Sequence, residues 1–342
     1  MISWFYHSIG PAKHGEASLN GFPKKDEVIV HFAHPAYQFG SCLESRDLRL
    51  NFIETRTQEE TSARINEGHV LVVTGFWQNA YIETGVNLKF IQGCGAGYNQ
   101  FDLDALATKG LRFANASGVN VNAVSDHAIA LMLGLVRKIH LARDNQRARY
   151  WRGMISDISQ REAELAGKTL IIFGVGAIGS RLAKLAKAFD MNVIGIRRNI
   201  DPIKGLVDEA YTPQQFLGLL PRADFVALTC PLTDETANIV DGAALAAMRN
   251  DAYLINVARG GCVDEPALVD ALASAAIAGA GIDTTAEEPL AASSSLWDIS
   301  NVILTPHTAG ETQAYEENVL DILLDNLGRL FRGEMQLLNQ II

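Results

Sequence analysis

The chain has 342 residues, 48% hydrophobic and 20% charged, with a formal net charge of −10 and a pI near 5.3. That length is enough for two domains with proper cores, and the acidic balance excludes nucleic acid as a general partner, because phosphate binding needs a basic face. Four scattered cysteines, Cys42, Cys94, Cys230 and Cys262, form no C-x-x-C pair, so reduced thiols in a cytoplasmic protein are expected rather than a disulfide framework or a metal site.

Residues 1–27 read as irregular, with turn signals at Gly10-Pro11, Gly15, Asn20-Gly21 and Pro23. Met1 to Gly10 lacks the basic start and apolar core of a signal peptide. From Val28, strand-like pieces at Val28–Phe32, Leu48–Ile53, Val70–Thr74 and Leu88–Gln92 alternate with helix-like ones, the pattern of a parallel sheet covered by helices. The fourth strand runs into Gly93-Cys94-Gly95-Ala96-Gly97-Tyr98-Asn99. This is either a bare turn or a cradle of N–H groups for a small anion such as a carboxylate. Asn115 to Asn122 is polar and suits a crossover or hinge. Ala123 to Leu141 reads as one long apolar helix, whose longest apolar run, Ala128 to Val136, is far short of a membrane span. Within that helix His127 is expected to pack or hydrogen-bond rather than to ligate. The basic, aromatic RDNQRARYWR from Arg143 to Arg152 suits an arm reaching a neighbouring subunit.

The stretch from Thr169 to Arg198 organises the rest. The apolar run Leu170–Phe173 enters the turn Gly174-Val175-Gly176-Ala177-Ile178-Gly179. A helical pattern of Leu182, Ala183, Leu185, Ala186 and Phe189 follows, and Val193-Ile194 begins a second strand. A G-x-G-x-x-G in that context binds a dinucleotide. One glycine makes the sharp turn, the next lets backbone approach the pyrophosphate, and the last lets helix pack on strand. The helix N-terminus faces the phosphates with partial positive charge. About 20 residues on, where NAD-binding units carry Asp or Glu for the ribose hydroxyls, stand Arg197 and Arg198. Guanidinium groups hold a 2′-phosphate, so NADP(H) is the expected cofactor, with NAD(H) the secondary one.

After Arg198 the alternation resumes, with strands at Phe225–Thr229, Tyr253–Val257, Ala280–Ile282 and Val302–Leu304, helical pieces at Phe216–Leu220, Leu245–Met248 and Glu265–Ala275, and a closing helix from about Ala314 to Arg332. Arg259, Glu288 and His307 stand beside turns at these strand ends, where doubly wound sheets bind ligands. Arg259 suits a carboxylate. A carboxylate beside His307 favours its charged form, which makes it a general acid for a carbonyl receiving hydride, and a base in reverse.

From Leu88 onward the chain resembles the D-isomer-specific 2-hydroxyacid dehydrogenase family, through GAGYNQFDLDAL, NVNAVSDHAIALML, GVGAIGSRLAKLAKAFDMNV, CPLTDET, INVARGGCVDEPAL, GAGIDTTAEEPL and NVILTPHTAG in that order. The resemblance implies that Arg259 binds the substrate carboxylate, that His307 is the acid/base and that Glu288 orients it. It implies that Gly95, Ala96 and Gly97 hold the carboxylate as well. Cofactor contacts are implied from Gly174, Gly176, Ala177, Ile178 and Gly179, from Arg197 and Arg198, and from Cys230, Pro231, Val257 and Asp283. The first 87 residues match poorly, and Gly75-Phe76-Trp77-Gln78 would lie near the substrate, with Phe76 and Trp77 either lining a pocket or buried in the core. The implied fold is α/β, two Rossmann-like or flavodoxin-like domains with parallel sheets. A dinucleotide domain, 122–309, is inserted into a discontinuous substrate domain, 1–121 and 310–342. The implied function is hydride transfer between NADP(H) and a small 2-keto or 2-hydroxy acid such as glyoxylate or hydroxypyruvate, D-stereospecific, in a homodimer with no membrane or nucleic-acid partner. The rival is a nucleotide-sensing corepressor on the same fold.

Overall fold

The computed structural model describes residues 21–46, 48–98 and 100–342. The turn signals at Gly10-Pro11, Gly15 and Asn20, the signal-peptide expectation on Met1 to Gly10, and Asn99 of the glycine-rich stretch lie outside them. The chain divides into two units, one formed by residues up to Ser117 with Ala314–Ile342, the other by Gly118–Gln313. Among the described residues no helix is long and apolar enough to cross a membrane. No group of three or more His, Cys, Asp or Glu side chains among them is placed to hold a metal ion.

The first unit carries β1 (Ile29–Ala33), α1 (Phe39–Ser45), β2 (Asn51–Thr55), α2 (Gln58–Arg64), β3 (Val70–Val73), α3 (Tyr81–Thr84), β4 (Phe90–Gly93), α4 (Leu103–Lys109) and β5 (Arg112–Ala114). Its sheet runs β2-β1-β3-β4-β5, every pairing parallel. A parallel sheet needs cover on both faces, and all four residues of β3, Val70 to Val73, are buried. The strand expected at Leu48–Ile53 begins later, at Asn51, and β5 is a short strand that no run of apolar residues announced.

The second unit opens on α5 (Val121–Val136) and α6 (Ile139–Arg147). The single helix expected from Ala123 to Leu141 is therefore two, because Lys138 takes a left-handed torsion, φ 53°, and breaks the hydrogen-bond ladder between them. There follow β6 (Thr169–Phe173), α7 (Ala177–Ala188), β7 (Asn192–Ile196), β8 (Glu209–Tyr211), α8 (Phe216–Leu219), β9 (Phe225–Leu228), α9 (Gly242–Ala247), β10 (Tyr253–Asn256), α10 (Glu265–Ala273), β11 (Gly279–Ile282) and β12 (Val302–Leu304). The sheet order is β12-β11-β10-β9-β6-β7-β8, again all parallel. Leu170 and Ile172 of β6 face one core while Ile171 and Phe173 face the other, which is why this strand is written as an unbroken apolar run. The chain moves outward from β6 to β7 and β8, then returns to place β9 on the other side of β6. That reversal is the switch point at which such sheets open for a ligand.

The chain returns to the first unit with α11 (Tyr315–Phe331). The tail beyond it, expected only to pack against this unit, continues its sheet. Gln340 bridges Ala114 antiparallel, and the Ile341 N–H donates to the Phe113 carbonyl at 2.9 Å.

Candidate active site

The residues singled out in the second unit lie along one edge of its sheet, at the carboxyl ends of the strands. In sheet order they are His307 after β12, Asp283 and Glu288 after β11, Val257 and Arg259 after β10, Cys230 and Pro231 after β9, the glycine turn after β6, and Arg197 after β7.

The three glycines do three different jobs. Gly174 has φ +100°, and a methyl there would stand 2.6 Å from the Cys230 Cα, so β6 and β9 touch backbone to backbone at the switch point. Gly179, in the first turn of α7, faces the Gly174 carbonyl and Ile172, and a methyl would meet that carbonyl at 2.8 Å. Gly176, the N-cap of α7, has nothing within 4 Å of where a methyl would go, and no side chain caps the helix there. The uncapped N–H groups of the first helical turn, with Ala177 and Ile178 as its opening residues, form an anion-accepting end. The Thr229 hydroxyl, which the sequence did not single out, donates to the Gly174 carbonyl at 2.8 Å and fixes the turn from behind. Its only signal was its place just before Cys230.

Arg197 is half-buried and Arg198 exposed. One guanidinium N–H of Arg197 donates to the Val175 carbonyl at 3.2 Å, which brings its fork over the glycine turn, and among the described residues no carboxylate pairs with it. Cys230 is buried, and a hydrogen bond with Cys262, together with burial, pushes its thiol above the usual range, so it stays uncharged.

At the end of β10, Asn256 holds the turn that presents Arg259. Its amide donates to the Arg259 carbonyl at 3.0 Å and its Oδ1 accepts the Ala258 N–H at 3.1 Å. Arg259 is exposed and its Nη1 donates to the Ala258 carbonyl at 2.7 Å. The next residue has to be glycine, because a methyl on Gly260 would sit 1.9 Å from the Thr285 carbonyl oxygen. The β10 and β11 turns therefore interlock. On the β11 side the Glu288 carboxylate accepts the Thr285 N–H at 3.1 Å through Oε1, and its other oxygen lies 2.8 Å from His307 Nδ1. A carboxylate only accepts, so Nδ1 carries the proton of this bond and Nε2 is the ring nitrogen not engaged with Glu288. Both side chains are partly open, 44% for His307 and 38% for Glu288.

Asp283 is buried and serves as a clamp. Its carboxylate accepts the Thr305 hydroxyl at 2.6 Å, the Thr308 N–H at 3.0 Å and the Ala309 N–H at 3.1 Å, and its carbonyl accepts the His307 N–H at 2.8 Å. Inside that clamp His307 holds a left-handed torsion, φ 54°.

In the first unit the glycine loop after β4 is fixed through its carbonyls. The Tyr315 hydroxyl donates to the Cys94 carbonyl at 3.0 Å, the Ala116 N–H to the Gly95 carbonyl at 2.9 Å, and the Asn115 amide to the Ala96 carbonyl at 2.7 Å. In a planar trans peptide the N–H points opposite to the C=O. The N–H groups of Gly95, Ala96 and Gly97 therefore point away from those three anchors. Trp77 is a core residue, its ring tilted against Phe101 with centroids 4.8 Å apart, while Phe76 is only partly buried.

The family model for the NAD-binding domain of D-isomer-specific 2-hydroxyacid dehydrogenases matches residues 129–309. A glyoxylate reductase of Thermococcus litoralis is 34% identical over 272 residues, 78% of this chain and 81% of its own length. A D-3-phosphoglycerate dehydrogenase of Methanocaldococcus jannaschii is 34% identical over 288 residues, but the match spans only 53% of that longer protein. Among solved structures, an acyclic imino acid reductase in complex with NADPH and D-arginine is similar with a TM-score of 0.78 and 25% identity, over 92% of this chain and 100% of that one. The chain belongs to the D-isomer-specific 2-hydroxyacid dehydrogenase family.

Proposed function

We propose that this chain reduces a small 2-keto acid, glyoxylate, hydroxypyruvate or a close relative, to the D-2-hydroxy acid, with NADP(H) preferred over NAD(H). The hydrogen bond between His307 and Glu288, on the same sheet edge as an uncapped glycine turn overhung by Arg197, carries this reading. The glyoxylate reductase relative supports the substrate class, and the NADPH of the imino acid reductase supports the cofactor. In this proposal the second unit is the dinucleotide domain and the first the substrate domain.

The residues suit the cofactor. The open space at Gly176 and the first turn of α7 accept a pyrophosphate, and Arg197 with Arg198 neutralises a 2′-phosphate. Cys230, Pro231, Val257 and Asp283 stand along the remaining edge. When bound, the reduced nicotinamide supplies a hydride. Arg259 holds the substrate carboxylate, which is positioning plus charge stabilisation, and within the first unit the N–H groups of Gly95, Ala96 and Gly97 offer an anion cradle of their own. Glu288 keeps the imidazole upright through Nδ1, and His307 delivers the proton held on Nε2 to the carbonyl oxygen. In the reverse direction Nε2 takes it back.

Charge-assisted bonds are worth about 1.5–3 kcal/mol each, so one or two to the 2′-phosphate give at least a roughly tenfold preference for NADPH. The test is kcat/KM for a panel of 2-keto acids with NADPH and NADH, in the parent and in Arg197→Asp. The substitution should shift preference toward NADH. A parent that prefers NADH, or a ratio unmoved by Arg197→Asp, overturns the cofactor choice. Silence across the panel with cofactor still tightly bound favours the sensor instead.

A further inference from the structure

His127 lies on α5 outside the groups assigned above, yet its ring reaches the turn that carries His307. Its Nε2 is 2.9 Å from the Thr305 hydroxyl and 3.7 Å from Asp283 Oδ1. The direction of this chain of bonds is fixed by what each group can give. Asp283 already receives the N–H groups of Thr308 and Ala309, and a carboxylate only accepts. The one hydrogen of the Thr305 hydroxyl therefore goes to Asp283 at 2.6 Å. The same oxygen must then accept from His127, so Nε2 of His127 carries a proton. Its helix is anchored against the sheet by close packing, since methyls on Gly134 and Gly281 would strike Ile303 and Leu131 at 2.8 and 2.9 Å. The ring is thus delivered from a rigid element to a turn that has to hold a strained torsion.

We propose that His127, as the Nε2–H tautomer, is a positioning residue for the acid/base histidine. It orients the Thr305 hydroxyl onto Asp283, and Asp283 then clamps residues 305–309 with His307 in its left-handed conformation facing Glu288. This rests on the reading of His307 as the proton donor. Without the His127 donor the Thr305 hydroxyl loses the partner that fixes its rotamer, and its bond to Asp283 is held less firmly in one direction. A small displacement of His307 lowers the rate of proton delivery while leaving the glycine turn and Arg259 intact.

Two measurements test it. In the full chain, nitrogen-15 NMR of the histidine rings above pH 8 should show His127 protonated on Nε2, and the signal should change in Thr305→Val. A ring protonated on Nδ1 overturns the proposal without any assay of activity. In steady-state kinetics His127→Ala should lose about tenfold to a hundredfold in kcat, with KM for both cofactor and keto acid held within about twofold. His127→Gln, which restores an N–H at similar reach, should recover most of the loss. An unchanged kcat in His127→Ala overturns the proposal. So does a loss shared among kcat, cofactor KM and melting temperature that Gln fails to rescue, because that is the mark of general packing. If His127→Ala does not fold, His127→Gln and the NMR of the parent decide. His307→Ala in the same assay separates the two layers. Normal turnover there sinks the assignment of His307 itself, whereas an inactive His307→Ala beside a normal His127→Ala sinks only the positioning role.

Discussion

His307→Ala should lower kcat by about 10²–10⁴-fold, the usual worth of a general acid, with cofactor binding unchanged. Arg259→Ala should damage KM and kcat together, because in the proposed role the arginine meets substrate in ground and transition states alike. Steady-state kinetics of the two variants separates those outcomes. Glycines give a sharper contrast. A methyl at position 176 meets nothing within 4 Å among the described residues, so Gly176→Ala should melt like the parent and yet raise the cofactor KM by crowding the pyrophosphate. At position 260 the same methyl would lie 1.9 Å from a carbonyl oxygen, so Gly260→Ala should lower the melting temperature and disable Arg259 at once. Thermal melts beside cofactor titrations check the pair, and matching behaviour in both variants would mean the open space at Gly176 is not where the cofactor goes. Spacing made Gly174, Gly176 and Gly179 legible in the sequence. It could not reveal Asn256, Thr229 or Thr305, because a single side-chain hydrogen bond, whether within a turn or across strands, leaves no periodic mark.

Strands β6, β9 and β10 were legible because their apolar runs are unbroken and almost wholly buried, whereas β5 and β8 are three residues each and open on a charged residue, Arg112 and Glu209, so no apolar run marks them. The break between α5 and α6 was hidden for another reason. Lys138, neither glycine nor proline, is held in its turn partly by its own ammonium, which donates to the Gln160 carbonyl at 2.6 Å. β1 conceals a pH-sensitive group in the same way. His31 is fully buried in it and sends Nε2 to the Thr55 hydroxyl at 2.9 Å; that hydroxyl donates to Thr61, which donates to the Thr57 carbonyl. Nδ1 has no partner among the described residues, so a proton there would be charged, buried and unbonded. Burial, and then Arg64, lowers its pKa from 6.5 to about 4, and burial lowers that of His34 likewise. The folded value lies below the unfolded one, so stability is full above pH 6.5 and falls as pH drops toward 4. At 1.36 kcal/mol per pH unit, that gap is worth roughly 3 kcal/mol from His31 alone. Urea unfolding between pH 7.5 and 4.5 should show a shallower loss in His31→Gln than in the parent, and parallel curves would count against the assignment.

The whole molecule leaves an apolar, basic region that one chain does not cover. After α6, Trp151 is 96% exposed, Met154 103%, Ile158 77% and Tyr150 61%. Trp151 and Tyr150 border a groove of about 590 Å³ that Arg137, Lys138 and Leu141 also line. Large apolar residues this exposed mark an interaction site, and a second copy of the chain, related by a two-fold axis, is the proposed partner. Light scattering at micromolar concentration should give twice the 37.1 kDa chain mass, and Trp151→Glu should lower it. A parent that runs as a monomer would rule the assembly out. Here the sequence was informative in composition, through the RDNQRARYWR stretch, and silent on shape.

β7, which carries Arg197, and β12, which carries His307, stand five places apart in the sheet order. At about 4.8 Å per strand that is roughly 24 Å of backbone, beyond the distance at which substitutions usually couple. On the roles proposed for Arg197 and His307, the choice of electron source and the making of the O–H bond are set at separate addresses on one sheet. A lineage, or an engineer, can exchange the reductant pool that feeds this scaffold without retuning its acid, and the fold changes of the two kinds of substitution should simply multiply.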